Sequence, residues 1–295
     1  AHFTPTLNYT GTVSQSFAGE RRAENRMDLR HGYLQGMLHV IVPKNARVGR
    51  FAGHRRLLTE PAVINNALDI NLYRQRLVQN TRVQIPGFLQ EDAAEAIHRC
   101  LAEEIPWALA ERSGGESHTI GAEVYAAMSG QDRQALLVKA YARAKSEFQF
   151  SYDSYMMVRA VKEGWTRNLL HDVLEFLNAP EFLLFARRLT GEPTIDRVSA
   201  QATRYRPGQF LTRHQDEDVS EGRVCAYVIN LSRNWDSDWG GLLQFHDADK
   251  RLLDSFVPYW NHLSLFRVPQ SHTVSLVSPW AGSDRLAITG WFLAK

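Results

Sequence analysis

His214-Gln215-Asp216 is followed in the same chain by His272, and then by Arg285 within Arg285-Leu286-Ala287-Ile288-Thr289-Gly290-Trp291-Phe292. Two imidazoles and one carboxylate are the donor set that holds non-haem Fe(II) on one face and leaves positions open for a co-substrate and O2. An arginine shortly after the second histidine suits a carboxylate, because its planar fork donates two parallel charge-assisted hydrogen bonds and stays protonated when buried. Thr289, four residues farther along the same stretch, is expected to share its face and add a third. The co-substrate this pattern calls for is an α-keto acid with a distal carboxylate, 2-oxoglutarate.

The elements that must carry these residues are legible around them. Tyr205 to His214 contains a Pro207-Gly208 turn and then a short, partly apolar stretch ending at the histidine, which predicts a strand with the motif at its end. Glu217 to Arg223 is a polar loop. Val224 to Leu231 is rich in β-branched residues and predicts a buried strand. Trp239-Gly240-Gly241 predicts a tight turn before Leu242 to Phe245, and Leu263 to Val268 alternates apolar and polar before Pro269. His272 to Val277 alternates likewise, and after the Ser278 to Asp284 loop Arg285 begins the last strand. Short strands in succession, without intervening helices, predict an α+β chain whose catalytic part is a double-sheet jelly roll, or double-stranded β-helix. In such a fold, residues more than fifty positions apart meet across the barrel.

The order tyrosine, His-x-Asp, Trp-Gly-Gly, His and Arg-x-x-x-Thr-Gly-Trp-Phe resembles the prolyl 4-hydroxylase-like branch of the Fe(II)/2-oxoglutarate dioxygenases, in a bacterial-looking form. The resemblance spans roughly Arg82 to the C-terminus and is strongest from Tyr205 to Phe292. It implies that His214, Asp216 and His272 ligate Fe(II), that Arg285 and Thr289 hold the C5 carboxylate of 2-oxoglutarate, and that Trp291 lines the pocket beside the metal. Relatives often have a tyrosine where this chain has Asn230. Asn230, Tyr227 and Tyr205 all stand as candidates for a further hydrogen bond to 2-oxoglutarate. The stretch between His272 and Arg285 is longer than in many relatives. The resemblance further implies O2 as co-substrate, ascorbate as an accessory reductant, release of succinate and CO2, and hydroxylation of a C–H bond in a prolyl or other peptidyl or amino-acid-like substrate. Asp216, standing where a halogenase has glycine or alanine, argues against halogenation. Two other classes compete: a non-catalytic jelly-roll module that senses metal or 2-oxoglutarate, and a zinc hydrolase, which lacks an evident general base and leaves Arg285 unexplained.

His246 and His262 read as structural histidines, His246 as a solvated strand end, and Trp235, Trp239 and Trp260 as packing aromatics. The chain has 295 residues, 44% of them hydrophobic, enough for one large core. No uninterrupted apolar window suggests a membrane span, and a net charge of +2 gives no nucleic-acid stripe. Cys100 and Cys225 are the only cysteines, which fits a reducing, cytoplasmic setting. The oligomeric state stays open. Residues 1–60 carry nine Lys/Arg against four Asp/Glu and little periodicity, and read as a basic extension without stable order. Residues 61–295 are expected to form the dioxygenase domain, with helical support over 61–190 and the jelly-roll core over 191–295. Within the support, helices are predicted over Asp69 to Gln79, Glu91 to Ile105, Gln134 to Phe148 and Asn168 to Leu189, the last broken before Pro180. The loop Gly115 to Gly130 and the aromatic segment Phe148 to Tyr155 are candidate substrate-contacting elements, expected to include a mobile lid that keeps water from the site.

Overall fold

The computed structural model describes residues 63–216 and 220–294; the basic extension predicted over 1–60, and most of the loop after Asp216, lie outside these residues. The helices begin and end where local chemistry dictates. Helix α1 (Ile70–Asn80) starts at Asp69, whose carboxylate accepts from the Leu72 N–H and satisfies a free donor of the first turn. Helix α2 (Glu91–Glu103) buries Ala93, Ala94, Ile97, Cys100 and Leu101, a single stripe at helical spacing. After α3 (Ala122–Ala127), α4 (Gly130–Ala144) is capped by Ser129, whose hydroxyl accepts from the Asp132 N–H. The helix therefore starts four residues before the predicted Gln134, because the cap sets the first turn. Helices α5 (Met157–Lys162) and α6 (Leu169–Leu177) follow, and α7 (Pro180–Thr190) opens on its proline and ends at Gly191 in the left-handed region.

Thirteen strands among the described residues form one sheet, every pairing antiparallel. They are β1 (Arg82–Ile85), β2 (Ala108–Ser113), β3 (Glu116–Ile120), β4 (Phe150–Tyr155), β5 (Ile195–Val198), β6 (Gln201–Tyr205), β7 (Phe210–His214), β8 (Arg223–Asn230), β9 (Leu243–His246), β10 (Leu252–Phe256), β11 (His262–Arg267), β12 (His272–Val274) and β13 (Arg285–Ala294). The order β1-β11-β8-β13-β6-β4-β7-β12-β9-β10 curls the sheet into the expected double-sheet roll. Strand β4 turns the corner, pairing through Phe150 and Ser151 with β7 and through Asp153 to Tyr155 with β6.

Side chains of the central strands alternate between two environments, as the two-residue period requires. Cys225, Tyr227 and Ile229 of β8, with Leu286, Ile288 and Phe292 of β13, pack against the helices on the outer face. Ala226, Val228, Ala287 and Trp291 face inward with Phe245 and Phe266. A one-residue slip would exchange the two sets, so the burial pattern pins the register. Cys100 and Cys225 are both buried and free.

Three expectations change. Gly115 to Gly130 is not a loop: Gly114-Gly115 closes a β2–β3 hairpin and α3 follows, with β3 a polar strand whose order comes from pairing with β2 rather than from an apolar pattern. Phe148 to Tyr155 is no surface lid either, because β4 is buried at every position and paired on both edges. The stretch 61–190 is more than helical support, since β1 pairs with β11 and β4 joins β6 to β7.

Candidate metal and co-substrate site

Antiparallel pairing of β7 with β12 sets His214 directly opposite His272, although 58 residues separate them in sequence. Asp216 follows two residues after β7 ends and turns back toward both rings. His214 Nε2 lies 3.4 Å from Asp216 Oδ1, and His272 Nε2 lies 3.4 Å from Oδ2. The ring centroids of the two histidines are 4.1 Å apart. The three donor atoms fall within 4.8 Å of one another, Asp216 and His272 buried and His214 half-buried.

The tautomers follow from the backbone. His214 Nδ1 is 3.0 Å from the Thr212 carbonyl oxygen and His272 Nδ1 is 2.9 Å from that of Gln270, so both Nδ1 atoms carry the proton that donates to those carbonyls. Each Nε2 then presents a lone pair to the carboxylate. Burial, with His214 close by, pushes His272 down to about 4, so it is neutral near pH 7. Burial works against the Asp216 carboxylate, but His272, His214 and Arg223 together hold it below the usual range. Three electron-pair donors facing one another repel unless a cation lies between them. Their 3.4 Å separations are near the roughly 3 Å edge of a coordination shell with bonds of about 2.1 Å. The residues thus fit a divalent transition ion.

The same cavity is also lined by Tyr205, Arg285, Thr289 and Trp291. Arg285 is 2% exposed, its Nε has no hydrogen-bond partner, and no carboxylate among the described residues pairs with it. Its one close electrostatic neighbour is Tyr205, directly across the β6–β13 pair, with the guanidinium 5.1 Å from the ring centroid. An unpaired buried cation is costly and marks a place for an anion. Burial, with Tyr152 nearby, drives the Tyr205 phenol upward, so it remains a neutral donor. Strand β6 is held there by the fully buried Asp153, which accepts from Arg204, Gln209 and Tyr125.

The other two candidates for the further hydrogen bond face different partners. The Tyr227 hydroxyl donates to the Ser199 carbonyl at 2.9 Å while its ring stacks on Phe292 in the helix-side core, although the residue also borders the cavity. Asn230 Nδ2 donates to the His262 carbonyl and to Ser264 Oγ, and the residue is not part of the cavity wall. The alternation of β8 aims Tyr227 away, and pairing with β11 occupies Asn230. Thr289 shares the Arg285 face but stands four positions on, about 13 Å along an extended strand, on the Trp291 side.

Not every lining residue carried a sequence signal. Phe148, just before β4, and Tyr152 of β4 line the cavity from within the nominated aromatic segment, whereas Gln201 and Thr203 of β6, and Phe266, whose ring lies 4.6 Å from that of His272, were not nominated. Periodicity could have placed Gln201 and Thr203, which keep the two-residue phase of Tyr205. His246 and His262 lie outside the cluster, and the ring nitrogens of His246 are shielded from solvent rather than solvated. Trp235, Trp239 and Trp260 do not line the cavity.

Comparison with known proteins agrees with this geometry. Residues 200–293 match the model of the 2OG-Fe(II) oxygenase superfamily. The chain is 42% identical over 108 residues to prolyl 3-hydroxylase OGFOD1 of Mus musculus, covering 34% of this chain and 19% of that protein. It is 31% identical over 138 residues to the Xenopus laevis protein of the same name, covering 44% and 25%. The chain therefore spans a quarter or less of the curated relatives it matches. Among solved structures, an oxidoreductase of the 2OG-Fe(II) oxygenase family from Burkholderia pseudomallei superposes with a TM-score of 0.51 at 14% identity, over 77% of this chain and 91% of that one, a likeness of fold. The part of the chain that resembles the 2OG-Fe(II) oxygenase superfamily, residues 200–293, is the part that carries the His214, Asp216 and His272 cluster.

Proposed function

We propose that this protein is a dioxygenase dependent on Fe(II) and 2-oxoglutarate that hydroxylates a C–H bond of a prolyl or other peptidyl substrate, releasing succinate and CO2. The observation that carries the reading is the coincidence, in one cavity, of a His/Asp/His cluster and a buried arginine without a counter-ion among the described residues. The peptidyl substrate is inferred from the relatives, which are prolyl 3-hydroxylases.

In this reading His214, Asp216 and His272 hold the iron, which when bound supplies O2 activation and oxidative decarboxylation of the α-keto acid. The chain's own part is binding, orientation and exclusion of water. Arg285 takes the distal carboxylate, and the Tyr205 hydroxyl donates to the same group. Thr289 meets the ligand farther along, toward Trp291. Phe148, half-buried beside His214 with ring centroids 5.6 Å apart, forms an apolar rim where a pyrrolidine ring can approach.

The test is anaerobic titration of Fe(II)-loaded protein with 2-oxoglutarate, followed by the visible metal-to-ligand charge-transfer band. A saturable band that weakens in Arg285→Met supports the assignment. Bound iron without a band sinks it. Proline-containing peptides are then assayed for hydroxylation coupled to succinate.

A further inference from the structure

Arg223, the first residue of β8, lies in the wall behind the cluster rather than in it. Its guanidinium is buried and touches three groups. Nε and Nη2 both donate to Glu221 Oε2, at 2.8 and 2.6 Å. Nη1 donates to the main-chain carbonyl of Asp216 at 3.1 Å. Its flat face lies over the Trp291 indole, 4.0 Å from the centroid. Trp291 is 5% exposed and lines the cavity, and its Nε1–H has no partner. One side chain therefore ties the carboxylate corner of the cluster to the opposite wall of the pocket.

The corner that carries Arg223 is itself anchored. The Ala294 N–H donates to the Gly222 carbonyl at 2.8 Å, and Arg197 donates to the Glu221 carbonyl at 3.0 Å. Gly222 has φ +68°, and a Cβ there would fall 1.8 Å from the Ala294 carbonyl oxygen, so only glycine lets this corner close onto β13. Arginine suits the junction because it can stack, fork and donate at once, which a lysine ammonium cannot.

We propose that Arg223, held by Glu221, is a positioning residue. It fixes the main chain at Asp216, and with it the carboxylate, against the indole of Trp291. The inference rests on the metal-centre reading above. Partners that orient metal ligands affect metal affinity by about 10–100-fold, and that quantity separates positioning from mere support of the fold.

The test measures Mn(II) binding to the full chain by the electron paramagnetic resonance signal of free Mn(II). Wild type is compared with Arg223→Gln, Arg223→Lys and Glu221→Gln, below the unfolding temperature of each as read by circular dichroism. The expected result is about 10–100-fold weaker binding in Arg223→Gln, with a smaller loss in Arg223→Lys, which keeps a cation toward Glu221. Should Arg223→Gln fail to fold, the other two variants carry the comparison. Folded variants that bind Mn(II) within twofold of wild type overturn the positioning role, however far their unfolding temperature falls. Failure of wild type to bind overturns the metal centre and this inference together.

Discussion

Arg285 presents a buried cation with no carboxylate partner among the described residues, and this makes replacing it by methionine unusually informative. Methionine keeps most of the stem packing and removes the charge. Leaving a charge buried and unpaired costs several kcal/mol, and Arg285 recovers only the contact with the Tyr205 ring, worth about 1–2 kcal/mol when desolvated. The metal-free variant is therefore expected to be as stable as wild type or more so, the reverse of what a structural arginine would give. Ligand binding should move the other way. Two hydrogen bonds to a charged group, at about 1.5–3 kcal/mol each, amount to a loss in 2-oxoglutarate affinity on the order of a hundredfold or more. Thermal unfolding without metal and calorimetric titration of 2-oxoglutarate into Mn(II)-loaded protein read the two effects. A fall in Tm of about 4–8 °C, equivalent to roughly 2 kcal/mol, with unchanged ligand affinity would refute the reasoning and make Arg285 part of the scaffold.

Tyr205→Phe should leave the stack on Tyr152 intact, ring centroids 5.0 Å apart, and weaken 2-oxoglutarate binding by about tenfold, the equivalent of one hydrogen bond to a carboxylate; the same calorimetric titration checks it, and an unchanged affinity removes Tyr205 from the site. His272 titrates at about 4 in the fold against 6.5 ordinarily, so between these values the unfolded chain binds more protons and stability rises with pH. Metal-free protein should therefore lose up to about 3 kcal/mol as the pH falls from 6.5 to 4, and urea unfolding across this range should show a flatter profile in His272→Asn. Gly290→Ala places a Cβ 1.9 Å from the Ser199 carbonyl oxygen, a backbone clash that forces β13 away from the chain before β6. Its cost should exceed about 2 kcal/mol, seen as a lower urea midpoint, and a wild-type midpoint would show that the strands separate freely there.

The candidate metal ligands were legible because their chemistry is local and their phase simple. His214 and Asp216 lie two apart at a strand end, and His272 opens an alternating stretch, so type and spacing sufficed to nominate them. Two of the longer helical stretches announced themselves through Asp69, Asn168 and Pro180, groups that cap, open or break a helix within a few residues, whereas the short α3 and α5 did not. The strands β3, β5 and β10 were not legible, since short or polar strands owe their order to partners elsewhere.

What the sequence determined by itself is therefore the donor set, the arginine and the alternating pattern that turns one face of each strand inward. What the tertiary structure decided is which inward groups meet. Tyr227 and Asn230 sit as close to the motif in sequence as Tyr205 does, but the alternation of β8 turns the first to Ser199 and pairing with β11 gives the second to His262. Arg223 carries no motif at all; only the Gly222 corner and the sheet's closure bring it between Asp216 and Trp291. Side-chain type and period are properties of neighbouring residues along the chain, whereas register across a closed sheet depends on strands distant in sequence, and the site is assembled across that register.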